Sequence, residues 1–320
     1  MTTQATPAAA PKRKSRFGKL PVISHLRQSV GLQRFMLVLG LTITVIFVLV
    51  AAFAPWLAPY GFAQQAVNGH SFGTQLPPNH LNLLGTTVSG FDVLSRTIWG
   101  AQTALLAICC SIAFSIVLGV ALGLIGGYFG GWLDRTLVML ADAIYAFPSL
   151  LLAIVMSIVI SHGQSQLWGG VLAAAISITV VFVPQYFRVI RSEVVRVKAE
   201  PFVESARVIG VPTGRILVRH VLRNSTRSLP VVITLNASEA LLTLAGLGFL
   251  GFGIDPTSAA EWGYDLNRAV EDVAAGIWWT AVPPGCAIVL VVLGVTLVGE
   301  SLNDLSDPRL RTRRRAGGAS

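Results

Sequence analysis

Charge is what this sequence has least of. Only 12% of its 320 residues are Asp, Glu, Lys or Arg, while 53% are hydrophobic. A soluble domain averages roughly 25% charged residues, so a chain at half that level has too little polar surface to cover a water-soluble globule. Cysteine is also scarce. Cys109, Cys110 and Cys286 all lie in apolar runs, and the two neighbours cannot readily bridge each other. That excludes a disulfide framework and leaves small buried hydrophobes as their expected role. The five histidines, His25, His70, His80, His162 and His220, form neither an HExxH spacing nor a paired cluster, so metal-dependent chemistry has no candidate ligands. A phosphate-binding loop is missing too, since Gly18-Lys19 has neither the leading glycine nor a following Ser or Thr. No enzyme activity is expected of this chain.

What the chain does have is a series of apolar runs long enough to cross a bilayer. The first occupies residues 35–58. It is too long for a signal-peptide core, usually about 7–15 residues, and Pro55 stands where a peptidase would cut, so an uncleaved first helix is expected. Five further spans are expected at 98–125, 136–160, 168–188, 229–253 and 277–299. Around them lie a flexible basic tail at 1–34, a loop at 59–97 rich in Pro, Asn, Gly and Thr, and a second basic tail at 304–320. The expected fold is thus all-α, with six transmembrane helices: a first span followed by a core of five within 98–303.

The net charge of +9 could suggest nucleic acid, but its placement argues otherwise. Of the 24 basic residues, all but Arg96 and Arg268 fall in the two tails, in the link after the second span, or between 188 and 228. Basic residues concentrate on the cytoplasmic side of membrane proteins. Both termini and the 188–228 segment are therefore expected in the cytoplasm, and the charge describes topology rather than a nucleic-acid partner. On the outer side, residues 254–276 hold Asp255, Glu261, Asp265, Glu271 and Asp272 with Trp262 and Tyr264, and they are expected to form a solvated cap.

The basic segment at about 189–228 is too long to be a mere link, and it carries helix signals. Pro201 suits the first turn of a helix, and Phe202, Val203, Ala206 and Ile209 give that helix an apolar face. Gly210 suits its left-handed stop. Thr213 is placed to cap a second helix containing Ile216, Leu217, His220, Val221 and Asn224. Two short helices joined by Gly-Val-Pro make a knob that can plug into a groove on another protein.

Within this knob, Glu204-Ser205-Ala206, three residues and then Gly210 resembles the EAA loop of ABC-importer permeases. Other strings are similar to the dipeptide, oligopeptide and nickel branch of that family. They include Leu84-Gly85-Thr86 with Gly90-Phe91-Asp92-Val93-Leu94-Ser95-Arg96, where Phe91 replaces the usual arginine. Gly127-Tyr128-Phe129-Gly130-Gly131-Trp132, Ala146-Phe147-Pro148-Ser149, Phe249-Leu250-Gly251-Phe252-Gly253 and Glu261-Trp262-Gly263 follow in order. The resemblance covers roughly residues 35–310, and the order of elements is that of the second, C-component permease.

The resemblance implies an importer type I fold in which Glu204, Ser205, Ala206 and Gly210 couple the chain to an ATPase. It also implies the partners: a homologous second permease, two ABC ATPase subunits that hold ATP and Mg, and an extracytoplasmic substrate-binding protein. Di- or oligopeptides are the expected cargo, with nickel or haem as alternatives. Asp142 and Glu239 are the carboxylates inside expected spans, where each costs about 2.5–3.5 kcal/mol near a helix centre. They are candidates for a translocation path or gate, with a bonded pair between helices, or a position nearer the membrane interface, as the competing reading. An ion-driven secondary transporter is the rival class, and it calls for more buried ionisable groups than these two. Pro148 is expected to kink the third span. Gly119, Gly123, Gly127 and Gly131 are expected to form a close-packing seam.

Overall fold

The computed structural model describes residues 32–161 and 167–306. The expected N-terminal tail as far as residue 31, and the C-terminal tail from residue 307, lie outside the described residues. The described chain is an all-α membrane architecture with five helices long and apolar enough to span, plus one bent pair.

Helix α1 (Leu32–Ala52) breaks at Phe53 and resumes as the single turn α2 (Ala54–Leu57). Pro55 sits in that first turn, where a missing N–H leaves no helical bond unmade. A small hairpin, β1 (Ala66–Val67) with β2 (His70–Ser71), follows. Its turn is Asn68-Gly69, both at positive φ (50° and 79°), as a tight two-residue hairpin demands.

Helix α3 (Val93–Phe129) is 37 residues long and is capped by Asp92, whose carboxylate accepts from the Ser95 N–H. It stops where Gly130 and Gly131 both take positive φ (66° and 68°), a conformation that other residues adopt at a cost. Helix α4 (Gly131–Tyr145) then runs into α5 (Ser149–Ser161) at an angle of 97°. The single kinked span expected over 136–160 is therefore two helices at nearly a right angle. Pro148 supplies the reason: its ring disfavours the helical region for Phe147, and it has no N–H to continue the ladder.

Helix α6 (Leu167–Lys198) runs ten residues past the boundary expected at 188, so the first part of the 189–228 segment is helix. Its residues Ile178, Phe182, Tyr186, Ile190 and Val194, four apart, are all at most 3% exposed and form the centre of the core. Helix α3 lies against this face. A Cβ on Gly119 would meet Tyr186 Cβ at 2.4 Å, one on Gly123 the Phe187 carbonyl at 2.8 Å, and one on Gly127 the Val194 side chain at 2.9 Å. The glycine seam is thus internal to the chain, and Gly131, with nothing within 4 Å of an added Cβ, is outside it. At the midpoint of α3, the Thr179 hydroxyl donates to the Ser111 carbonyl at 3.2 Å.

The knob follows as α7 (Pro201–Val208), α8 (Thr213–Arg215), a π-helical stretch (Ile216–Leu222) and α9 (Arg223–Ser225). Helix α10 (Leu229–Phe249) ends four residues before the expected boundary, and Gly251 turns with φ at 82°. Two short helices, α11 (Trp262–Arg268) and α12 (Val270–Ala274), form a cap together with residues 58–92. After a 3₁₀ turn (Trp278–Thr280), α13 (Val282–Ser306) closes the bundle. It packs on α1, where Gly40 approaches the Gly294 carbonyl, and on α10, where Ser238 and Thr296 share a 2.9 Å hydrogen bond.

Large apolar residues such as Val117 on α3 and Met139 on α4 point outward (66% and 63% exposed), the arrangement of a protein solvated by lipid or by neighbouring subunits. Cys109 and Cys286, expected to be buried, are on this outer surface, and all three cysteines are free.

Candidate coupling knob, elbow cleft and cap

The knob is built as a plug with a fixed base. Glu200 occupies the N-cap position and Pro201 opens α7. Gly210, with φ at 77°, ends the turn: its N–H donates to the Arg207 carbonyl at 2.9 Å, and the Val211 N–H donates to the Ala206 carbonyl at 3.0 Å. Val203 and Ala206 are buried, as are Ile216 and Val221 from the second half. Glu204 and Ser205 face outward, and the Ser205 hydroxyl folds back to the Pro201 carbonyl. The four motif residues are therefore brought into one helix and its stop, with Ala206 as the inward anchor.

Two details differ from the sequence reading. Ile209 is 78% exposed and Phe202 is 43% exposed, so the inward face is Val203 and Ala206 alone. The helix ends at Val208, and the turn swings Ile209 outward beside Val208 (82% exposed). Thr213 does not cap the second helix. Pro212, extended with φ −60° and ψ 139°, takes the N-cap place and has no side chain to offer a bond.

The knob is tied to α3 through an aromatic ring that carried no role in the sequence reading. The Arg207 guanidinium lies 5.3 Å from the centroid of Tyr128, and Lys198 Nζ lies 5.5 Å from it. Lys198 also donates to the Tyr128 carbonyl at 2.5 Å. Close by, Arg191 grips Asp134 with two bonds, 2.5 and 2.6 Å, joining α6 to α4. Two parallel bonds of this kind fix orientation as well as distance.

The elbow between α4 and α5 opens a cleft of about 140 Å³, whose lining includes Tyr145, Phe147, Phe182, Gln185 and Glu239. Asp142 is ion-paired with Arg188 on α6, and Arg188 lies over the Tyr145 ring at 4.4 Å. The competing reading of Asp142, a bonded pair between helices, therefore describes its geometry. Glu239 is exposed on the bare face of α10.

The cap departs most from expectation. Glu261, Asp265 and Asp272 are 3%, 8% and 2% exposed, not solvated. Glu261 caps α11, accepting from the N–H groups of Gly263 (2.8 Å) and Tyr264 (2.7 Å). Burial pushes its carboxyl up to about 8, against these two N–H groups, which favour the charged form. Asp265 accepts from Arg96 Nε at 2.7 Å in a buried ion pair, and Asp272 accepts from the Gln75 amide. Arg96 also donates to the carbonyls of Phe62 and Pro256 and stacks on Phe91 at 4.9 Å. The Trp262 indole donates to the Thr97 carbonyl at 3.0 Å and leaves no room for a Cβ at Gly100. The strings around Arg96 and Trp262 thus lock the cap onto α3.

Against known proteins, residues 119–312 match the family model described as binding-protein-dependent transport system inner membrane component. Residues 33–78 match the N-terminal TM domain of oligopeptide transport permease C. The chain is 33% identical over 275 residues to the dipeptide transport system permease protein DppC of Alkalihalophilus pseudofirmus, covering 86% of each. It is 35% identical over 268 residues to the glutathione transport system permease protein GsiD of Shigella flexneri serotype 5b, covering 83% of this chain and 84% of the relative.

Proposed function

The chain belongs to the family of binding-protein-dependent transport system inner membrane components, and from that premise we propose that it is the C-type permease of an ATP-driven importer of di- or oligopeptides. It forms the translocation pathway with a homologous second permease. Two ABC ATPases, which hold the ATP and Mg, dock on the knob from the cytoplasm, where both termini also lie. An extracytoplasmic binding protein delivers cargo at the cap. Asp142 and Glu239 border the pathway.

The observation that carries this reading is the uncovered apolar tip of the knob. Val208, Ile209 and Val218 are 82%, 78% and 65% exposed while Val203 of the same knob is fully buried. A basic segment in the aqueous phase that holds such a tip outward calls for a protein surface to cover it. Peptide cargo rests on the relatives, one named for dipeptides and one for glutathione. Membership of the family also sets aside the ion-driven secondary transporter.

The test is a pair of variants, Gly210→Leu and Glu204→Lys. The first forces a Cβ into a left-handed position at a cost of about 1–2 kcal/mol; the second reverses an exposed charge. Each complex is purified and assayed for bound ATPase, substrate-stimulated hydrolysis and peptide uptake. Loss of ATPase docking and uptake with the permease still inserted is the expected result. Full association and full uptake in both variants would remove the proposal's mechanistic support.

A further inference from the structure

We infer that the elbow cleft is a transit subsite for the positively charged amino end of the cargo, with Glu239 as its counter-ion. The inference rests on the peptide-importer reading and adds to it a residue and a cargo group.

Two independent features argue against lipid at this cleft. The first is the backbone. The break at Ala146-Phe147-Pro148 interrupts the helical ladder between α4 and α5, a helix pair long and apolar enough to be one broken span. Irregular backbone at membrane depth is tolerated only where it is buried in protein or lines a water-filled cavity. The second is Glu239 itself. It stands on the bare face of α10 between Leu235 and Leu242, which are 48% and 53% exposed. A carboxylate on a lipid-facing stripe is costly, so such a group faces a cavity or a partner.

Charge then decides which kind of group the cleft takes. Of the two carboxylates near it, Asp142 is neutralised by Arg188, and Arg188 is held in place by the Tyr145 ring. The Glu239 carboxylate makes no ion pair among the described residues, so it is the cleft's carboxylate without a cationic partner. Gln185, Ser149 and the Tyr145 hydroxyl offer neutral polar groups around it, and Phe147 and Phe182 give apolar walls. An ammonium group on a short, partly apolar chain fits this set: charge to Glu239, side chain to the aromatic walls. A cargo carboxylate gains little here, because Arg188, the cation beside Tyr145, is already paired with Asp142.

The experiment uses the complete importer, with both permeases, the ATPases and the binding protein, reconstituted in vesicles. Uptake is measured for a dipeptide and for its N-acetylated counterpart, in the parent complex and in Glu239→Gln and Glu239→Asp. Because the binding protein is common to all three, the change in the ratio of free to acetylated uptake isolates the permease. The expected ratio falls roughly tenfold in Glu239→Gln, the range of a charge-assisted hydrogen bond, and is largely kept in Glu239→Asp. An unchanged ratio in Glu239→Gln overturns the inference and leaves the importer reading standing. So does equal loss of both cargoes, and loss of the second permease from the purified complex would make Glu239 an interface residue instead. Failure of the parent complex to take up any peptide overturns the importer reading, and the inference falls with it.

Discussion

Arg207 on the knob and Tyr128 at the end of α3 form a cation–π contact, 5.3 Å from guanidinium carbon to ring centroid. Lys198 approaches the same ring at 5.5 Å. One aromatic side chain thus joins the knob helix, the end of α6 and the end of α3. Replacing Tyr128 by Leu should therefore leave ATPase docking in place but lower the uptake obtained per ATP hydrolysed. Phe, which keeps the ring, should restore most of it. Equal ratios of uptake to hydrolysis in the parent and Tyr128→Leu complexes would show that the contact transmits nothing.

The Arg96–Asp265 pair, with side chains 2% and 8% exposed, should behave as a buried ion pair. Removing one partner strands the other, at a cost of about 3–5 kcal/mol, whereas replacing both by apolar residues of similar size is far less damaging. Thermal unfolding of the purified complex should accordingly drop more for Arg96→Met or Asp265→Leu alone than for the two together.

Glu261 makes the cap pH-dependent. Its carboxyl ionises near pH 8 when folded and near 4.5 when unfolded, so between these values the folded cap binds the extra proton. Stability of the cap therefore falls as pH rises from about 4.5 to about 8. Hydrogen exchange at the amides of Gly263 and Tyr264, corrected for intrinsic rates, should show protection declining across that window. In Glu261→Gln, which cannot ionise, the slope should vanish.

Gly119 sets the spacing between α3 and α6. A Cβ there would lie 2.4 Å from Tyr186 Cβ, closer than van der Waals contact allows. Gly119→Val should cost about 1–3 kcal/mol or more as overpacking and should lower the yield of folded permease. Gly131→Ala tests the opposite case, because an added Cβ there meets nothing within 4 Å and only the positive φ of 68° resists it.

Spans, the knob and its motif were legible because each depends on local chemistry: run length, the Pro201 start, the Gly210 stop. What needed coordinates was pairing between elements distant in sequence. Asp142 reads as a lone intramembrane charge until α6 brings Arg188 to it. The acidic residues of 254–276 read as solvated, yet three of them are consumed by a helix cap, by Arg96 and by Gln75. Tyr128 offered no signal, since one aromatic in a glycine-rich string says nothing about the two cations that fold onto it. The elbow was half legible: Pro148 announced a break, but its angle depends on how α5 packs.

Helix α3 is also a single beam between the two water boundaries. Its 37 residues make it about 55 Å long, well beyond the roughly 30 Å of bilayer hydrocarbon. One end holds Arg96 and the cap, the other holds Tyr128 and the knob, and between them the Ser111–Thr179 contact and the Gly119–Gly127 seam fasten it to α6. Close packing along that seam makes α3 and α6 one strut, with the cap and the knob fixed at its opposite ends.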